Sequence, residues 1–382
     1  MRILYHHRIA SKDGQNVHVD EIVNALRDLG HEVLIVAPAS STEQDFGASV
    51  GWVDRLKTSL PKALYEVLEM GYSLLAYARL CRAIRAFRPD AIYERYNLFL
   101  FSGIWARRRY GIPLLLEVNA PIAQEREKYD GIALKRIADR AQRHIWRGAD
   151  YVLPVTHVLG KMVEAAGVPE NKIIVIPNGI NAAHFSNVPG SNQVKARHGL
   201  EGRVVLGFTG FVRDWHGLDR VIRWMALQER TDLHLLVVGD GPARPDLEKL
   251  SESLGISGHV TFTGLVQRDS IPGLVAAFDV ALQPAVVAYA SPLKLFEYLA
   301  MGRAVIAPRQ ENLLEVLTDG ENAVMFDPSD PQGLETALSQ VCSDPELRER
   351  LGAASKRAIF EGGLTWRANA QRIVELFESL QK

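Results

Sequence analysis

Short apolar runs alternate along the chain with longer amphipathic stretches. In the first half, MRILYH, EVLIVAP, DAIYERY, IPLLLEVN, DYVLPVT and KIIVIPN are hydrophobic runs of strand length. Between them, residues 16–29, 62–87, 98–110, 132–146 and 158–166 repeat apolar positions at helical spacing. Strands that are apolar throughout are buried on both faces, so the pattern predicts a parallel sheet with helices on each side. Residues 186–199 break the rhythm: the stretch is polar, holds Pro189, Gly190 and Gly199, and predicts a linker. The alternation then restarts. VVLGFTG, LHLLVVG, HVTFTG, DVALQP, RAVIAP and NAVMF predict strands; residues 218–228, 244–254, 271–277, 293–301 and 332–342 predict helices. A last helix over 366–381 follows the Gly362-Gly363 break.

This is the doubly wound α/β pattern, written twice. A chain of 382 residues is long for one core and comfortable for two domains. Ligands of such sheets lie beyond the carboxyl ends of the strands, so two facing domains would hold theirs in the cleft between them.

Composition adds less. Hydrophobic residues make up 47% and charged residues 23%, the balance of a soluble globular protein. No apolar run reaches the roughly 18–20 residues that span a bilayer. The chain opens directly on a strand pattern with no signal-peptide layout. Cys81 and Cys342 lie far apart and match no metal or disulfide spacing. These features predict a cytoplasmic protein, with peripheral contact at the inner face of the membrane as an extension.

The net charge is −1, yet Arg55 to Arg147 holds 18 lysines and arginines against 9 acids. That asymmetry predicts an anion-facing surface. Arg136, Arg140, Arg143 and Arg147 fall on one stripe of a helix whose other face carries Leu134, Ile137, Ala141 and Ile145. Arg79, Arg82, Arg85 and Arg88 make a second basic set. A solvated face explains such stripes; an anionic membrane or a phosphate-bearing acceptor also fits them. Nucleic acid does not, because aromatics are not interleaved and the pI is near neutral.

Four stretches carry candidate chemistry. In SPLKLFEYLAMG, Pro292 suits a first helical turn, and Lys294 and Glu297 share a face. A lysine beside a helix start suits a diphosphate, and a carboxylate one turn on can accept from a ribose diol. A surface ion pair is the plain alternative. In FTGFVRDWHGL, Gly210 permits a tight turn and Arg213 and His216 can meet phosphate oxygens, or Trp215 can simply anchor the loop. VVGDGP ends a strand at Gly239, Asp240 and Gly241, where glycines let a ligand approach or merely shape a turn. FTGLV brings Leu265 and Val266 to another strand end. In the first half, Asp13, Gly14, Gln15 and Asn16 precede a helix that holds His18, which is either functional or a hydrogen-bonded core residue. Glu117 and Asn119 close an apolar strand, where a charge needs a partner. The motifs G-x-x-x-x-G-K-[ST], H-E-x-x-H and Asp-x-Asp are missing, so nothing in the sequence calls for a metal.

In this order the stretches resemble glycosyltransferase family four, the group-one enzymes of the GT-B superfamily. The resemblance covers nearly the whole chain. It rests most on FTGFVRDWHGL, VVGDGP, VTFTGLV, SPLKLFEYLAMGRAVIAP, Glu315 and DGENAVMF. The segments HHRIASKDGQNVH and LEVNAP look like a bacterial branch linked to exopolysaccharide assembly. The resemblance implies two Rossmann-like domains facing each other across a cleft. Residues 1–185 would take the acceptor, with helix 365–382 packing back on them, and residues 186–364 would take the donor. It implies a nucleoside diphosphate sugar, UDP-linked before GDP-linked, with no metal and no permanently bound cofactor. Glu297 would hold the ribose; the turn Ser291-Pro292-Leu293 would offer the backbone N–H groups of Ser291 and Leu293 to sugar and phosphate; Gly239, Asp240, Gly241, Leu265 and Val266 would border the nucleoside. Gly14 and Gln15 would approach the diphosphate, and Gly210 would open the phosphate loop.

Four positions depart from the family pattern. Tyr289 replaces a glutamate that contacts the donor sugar, Phe211 an arginine, His216 a lysine and Asn119 a histidine. Arg213 is a substitute for the missing arginine, and these departures imply a clamp that is either weaker or, through His216, more pH-sensitive. The implied reaction is glycosyl transfer to an acceptor hydroxyl with retained configuration, on a lipid-linked or anionic glycan acceptor. Arg213, His216 and Lys294 would steady the leaving diphosphate, with Asn119 as a further catalytic candidate. The alternatives are a catalytically inactive sugar-nucleotide-binding protein and a GT-B epimerase.

Overall fold

The computed structural model describes residues 1–9, 14–38, 59–186 and 188–381. The chain forms two compact units. The first comprises Met1–Pro177, Tyr289–Ser291 and Trp366–Lys382; the second comprises Asn178–Ala288 and Pro292–Thr365.

In the first unit the elements are β1 (Arg2–His6), α1 (Gly14–Asp28), β2 (Glu32–Val36), α2 (Lys62–Phe87), β3 (Ala91–Arg95), α3 (Ser102–Tyr110), β4 (Leu114–Val118), α4 (Ile122–Glu125), α5 (Lys135–Gly148), β5 (Tyr151–Pro154) and α6 (His157–Ala165). The five strands are parallel, in the order β2-β1-β3-β4-β5. Every residue of β3 and β4 is buried, as continuous apolar runs demand of a sheet covered on both faces. Helix α6 begins where Thr156 Oγ1 accepts the Leu159 N–H at 3.1 Å. The C-terminal helix, Trp366–Gln381, buries Trp366, Ala370, Ile373 and Phe377 and sets the Trp366 ring 4.8 Å from that of His18 on α1.

One expected strand is not formed. Residues 172–178 run beside β5, with the Ile174 and Ile176 N–H groups donating to the Val152 and Pro154 carbonyls, but only a single bridge, Val152 to Ile173, is made. Pro154 has no N–H to return, so the ladder stops there. Helix α5 also corrects the face expected of Ile137, which is 42% exposed; Ala138, Ala141, Gln142, Ile145 and Trp146 face inward instead.

The second unit holds α7 (Ser191–Arg197), β6 (Val204–Thr209), α8 (Leu218–Ala226), β7 (Leu233–Val238), α9 (Arg244–Ser253), β8 (Val260–Phe262), α10 (Ile271–Ala276), β9 (Val280–Leu282), α11 (Leu293–Ala300), β10 (Ala304–Pro308), β11 (Ala323–Phe326), α12 (Gly333–Ser343) and α13 (Pro345–Glu361). Its six strands are parallel, in the order β11-β10-β9-β6-β7-β8. Helix α7 lies inside the stretch expected to be a linker: Val194 is buried, and Lys195 pairs with Asp279 at 2.6 Å, which together order seven residues. Helix α13 was absent from the expected elements, although Asp344 caps it and Pro345 opens it. In each sheet the strand order reverses beside its first strand, at β1/β3 and at β6/β9, and that reversal leaves a crevice at the carboxyl ends.

Candidate functional site

The carboxyl end of β6 is tied to α11 by the Thr209 N–H, which donates to the buried Tyr298 hydroxyl at 2.8 Å. Gly210 follows with φ 121°, a conformation that L side chains rarely adopt. A Cβ there would lie 3.3 Å from Lys294 Nζ. The same ammonium sits 3.6 Å from the centroid of the Phe208 ring. Burial pushes the Lys294 pKa down to about 7, against the opposing charge of Glu297.

Three residues on, the Arg213 N–H donates to His216 Nδ1 at 3.0 Å. The neutral imidazole therefore carries its proton on Nε2 and presents it as a donor. The His216 ring lies 4.9 Å from Phe208 and 4.0 Å from Trp215, so the Phe208 ring contacts both His216 and Lys294. Burial, then the charges of Lys294 and Arg213, hold the His216 pKa down at about 3. The pH sensitivity expected of His216 thus passes to Lys294. The Arg213 guanidinium is exposed, 5.0 Å over the Phe211 ring. Among the described residues, neither Arg213 nor Lys294 has a carboxylate within 4.0 Å.

Helix α11 begins at Pro292 with no side-chain cap, leaving the first-turn N–H groups beside that basic cluster. Glu297 is half-buried one turn along, its charge acting on Lys294 and Tyr298. Ser291 ends the short segment counted with the first unit, and the chain enters the second at Pro292.

Gly239 and Gly241 serve a neighbouring backbone. A Cβ on Gly239 would strike the Gly210 carbonyl oxygen, and one on Gly241 would strike the Val212 backbone. Gly210 N donates to Val238 O and Val212 N to Asp240 O, both at 2.9 Å, so the two loops are zipped together. The Asp240 carboxylate holds the Gly241 N–H and Arg244 Nη1. Gly264 bridges Gly239, and after it Leu265 is 56% exposed while Val266 packs against the core. The end of β6 and the start of α11 thus bring Gly210, Arg213, His216 and Lys294 together, with Gly239, Asp240, Gly241, Leu265 and Val266, beyond β7 and β8, along their border.

In the first unit Gly14 and Gln15 open α1, while Asp13 lies outside the described residues. Asn119 donates its Nδ2 hydrogen to Glu117. The same carboxylate accepts from Tyr93 at 2.9 Å and Arg95 at 2.8 Å and meets His18 Nε2 at 2.9 Å. Burial opposes ionisation of Glu117, but the charges of His18 and Arg95 and the hydrogen bonds outweigh it and hold the carboxyl well below its usual range. This answers what a charge is doing in an apolar strand. Two pairings were not foreseen. His6 Nδ1 lies 2.5 Å from Glu94 Oε2, and the Tyr289 hydroxyl donates to Glu125. Burial, then Glu125, raises the Tyr289 phenol far above its ordinary value. An acid within the apolar DAIYERY run signalled the first; no sequence spacing links the second.

Among the described residues, no three His, Cys, Asp or Glu side chains gather as a metal site, and no helix is long and apolar enough to cross a membrane.

Two family models match the chain, "Glycosyl transferase 4-like domain" over residues 13–179 and "Glycosyl transferases group 1" over residues 191–358. A D-inositol 3-phosphate glycosyltransferase of Thermomonospora curvata is 27% identical over 95% of this chain and 90% of its own length. An alpha-D-kanosaminyltransferase of Streptomyces kanamyceticus is 25% identical over 64% of this chain, and the chain spans 65% of that relative. Among solved structures, the Anabaena protein HepE in complex with UDP superposes with a TM-score of 0.78 at 18% identity, covering 99% of this chain and all of that one. Sucrose-phosphate synthase of Thermosynechococcus elongatus gives 0.76 at 18% identity, over all of this chain and 99% of its own. Those two likenesses establish a shared fold.

Proposed function

We propose that this chain, which belongs to the group 1 glycosyltransferases of GT-B fold, moves a glycosyl group from a nucleoside diphosphate sugar to an acceptor hydroxyl with retained anomeric configuration. The observation that carries the proposal is the basic cluster of Arg213, His216 and Lys294, which among the described residues has no carboxylate in ion-pair reach and stands beside the uncapped start of α11. A leaving diphosphate fits it. Negative charge grows on the phosphate oxygens as the sugar bond breaks, and donors already in place need little reorganisation. Arg213 and Lys294 supply charge, His216 Nε2–H and the first-turn amides supply hydrogen bonds, and Glu297 takes the ribose diol. Leu265 and Val266 border the base. The leaving oxygen accepts the proton of the acceptor hydroxyl, so Asn119 acts through Glu117 on the acceptor side and not as a base.

The donor domain is then 186–364, and the acceptor domain is 1–185 with 365–382. A UDP-sugar is favoured over a GDP-sugar by the likeness to HepE, whose structure holds UDP. A phosphate-bearing acceptor, such as a lipid-linked glycan intermediate in exopolysaccharide assembly at the inner face of the membrane, suits the exposed Arg136, Arg140, Arg143 and Arg147 of α5. A second reading, an inactive binder, draws on Tyr289, whose hydroxyl is committed to Glu125 where the family pattern has a sugar-contacting glutamate.

Incubation with UDP-glucose or GDP-mannose and a panel of phosphorylated acceptors, read by proton NMR of the anomeric signal, tests both readings. An α-linked product from the α-linked donor is expected. A β-linked product contradicts retention, and donor binding without any product favours the inactive binder.

A further inference from the structure

Helix α2 is turned inside out over its first half. Its inward side carries Glu66, Glu69 and Ser73, all buried. Glu66 accepts the N–H groups of Ala133 and Leu134 at 2.8 Å each, just ahead of α5. Glu69 accepts from Arg126 at 2.6 and 2.7 Å and from Arg8 at 2.9 Å. Ser73 Oγ donates to Phe99 O and accepts from Phe101 N–H. Leu64, Val67, Leu68, Leu74 and Leu75 meanwhile point outward and are 47–64% exposed. At 3.6 residues per turn they lie on one side of the helix, and Arg79, Arg82 and Arg85 continue that side, all exposed. The only acids in α2 are Glu66 and Glu69, so the outward side is apolar at one end, cationic at the other and free of carboxylates.

We propose that this face docks on an anionic lipid surface, with the leucines in the headgroup boundary and the arginines on lipid phosphates. Contiguous exposed apolar surface marks an interaction site. An apolar helix face with flanking arginines is the pattern of a helix that lies in a membrane interface. The charge pattern chooses the occupant. A second copy meeting this face with the same face would bring leucines and arginines but no carboxylate, whereas each arginine near an anionic bilayer contributes about a fivefold gain in partitioning. The inference is independent of the transfer reaction and of the donor cluster.

Co-sedimentation of the full chain with phosphatidylcholine vesicles, with and without phosphatidylglycerol, tests it. Binding is expected to the anionic vesicles and to weaken with salt. Replacing Leu74 and Leu75 together by Ser should lower partitioning at least tenfold, and so should Arg79→Glu with Arg82→Glu and Arg85→Glu. All five side chains are exposed, so circular dichroism and thermal unfolding should stay unchanged, and nucleotide titration of the same variants should match the parent. Wild-type protein left in the supernatant overturns the proposal. So does binding that survives both variants, or that is lost only when Arg136, Arg140 and Arg143 are reversed. A concentration-dependent dimer abolished by the leucine variant, with no vesicle binding, assigns the face to a second copy instead.

Discussion

Lys294 is the residue on which the proposed donor site turns. Its ammonium lies against Phe208, no carboxylate among the described residues is in contact with it, and its pKa is lowered to about 7 by burial. A bound diphosphate favours the charged form and raises that value. At pH 8 the free protein therefore holds Lys294 mostly neutral, and the complex holds it charged. Binding should take up close to one proton at pH 8 and far less at pH 6, and affinity should fall as pH rises above 7. Calorimetry of UDP binding in buffers of different ionisation enthalpy measures that proton; Lys294→Met should remove it. The same substitution should stabilise the unliganded chain at pH 7 by roughly 1 kcal/mol after solvent screening, because the unfolded lysine binds a proton that the folded one partly gives up. An equal proton count at both pH values counts against this assignment. The spacing of Lys294 to Glu297 was plain in the sequence. The role of Phe208 was not, since only the fold sets a strand residue against a helix start more than eighty positions away.

At the scale of elements, the loops after β6 and β7 work as one piece. Their zipper leaves Gly239 at φ 139° with the Gly210 carbonyl where a side chain would start. Gly239→Ala should cost about 2–4 kcal/mol through backbone strain and collision together. Hydrogen exchange should then show lost protection around Gly210–Val212 and Val237–Gly241, and UDP binding should fall with it. Unaltered protection contradicts the close approach. Strands and helices with strong periodicity were legible in advance because burial on a fixed face imposes the period. Three elements were not. The stretch beside β5 had strand composition but faces a proline without an N–H, α7 is held by buried Val194 and an ion pair, and α13 was missed although Asp344 and Pro345 mark its start. The extent of α2 was legible from its period, but not its facing, because it breaks the rule that leucines face in. Its buried acids serve specific N–H and guanidinium groups that only the folded unit supplies.

The molecule as a whole holds two doubly wound sheets, and charge is distributed unevenly between the two units. The described part of the basic excess, Lys62 to Arg147, lies in the first unit together with the outward face of α2; Arg213, after β6, and Lys294, on α11, lie in the second. Fold class could be read from order and spacing, because glycines, strand ends and helix starts are local features. The tethering of Tyr289 to Glu125 and of Asn119 to Glu117 could not, since it depends on side chains meeting in space.

The most direct test of the central claim is thermal unfolding of the full chain with UDP, GDP, ADP and their sugar conjugates, beside Arg213→Ala and Lys294→Met. Ligand at about a hundred times its Kd adds roughly 2.7 kcal/mol, a shift of a few degrees for a chain of this size. A shift with the uridine ligands, at least tenfold weaker in concentration dependence for each variant, is the predicted result. No shift with any nucleotide at millimolar concentration, or equal shifts in both variants, would contradict a nucleotide-sugar site at the ends of β6, β7 and β8.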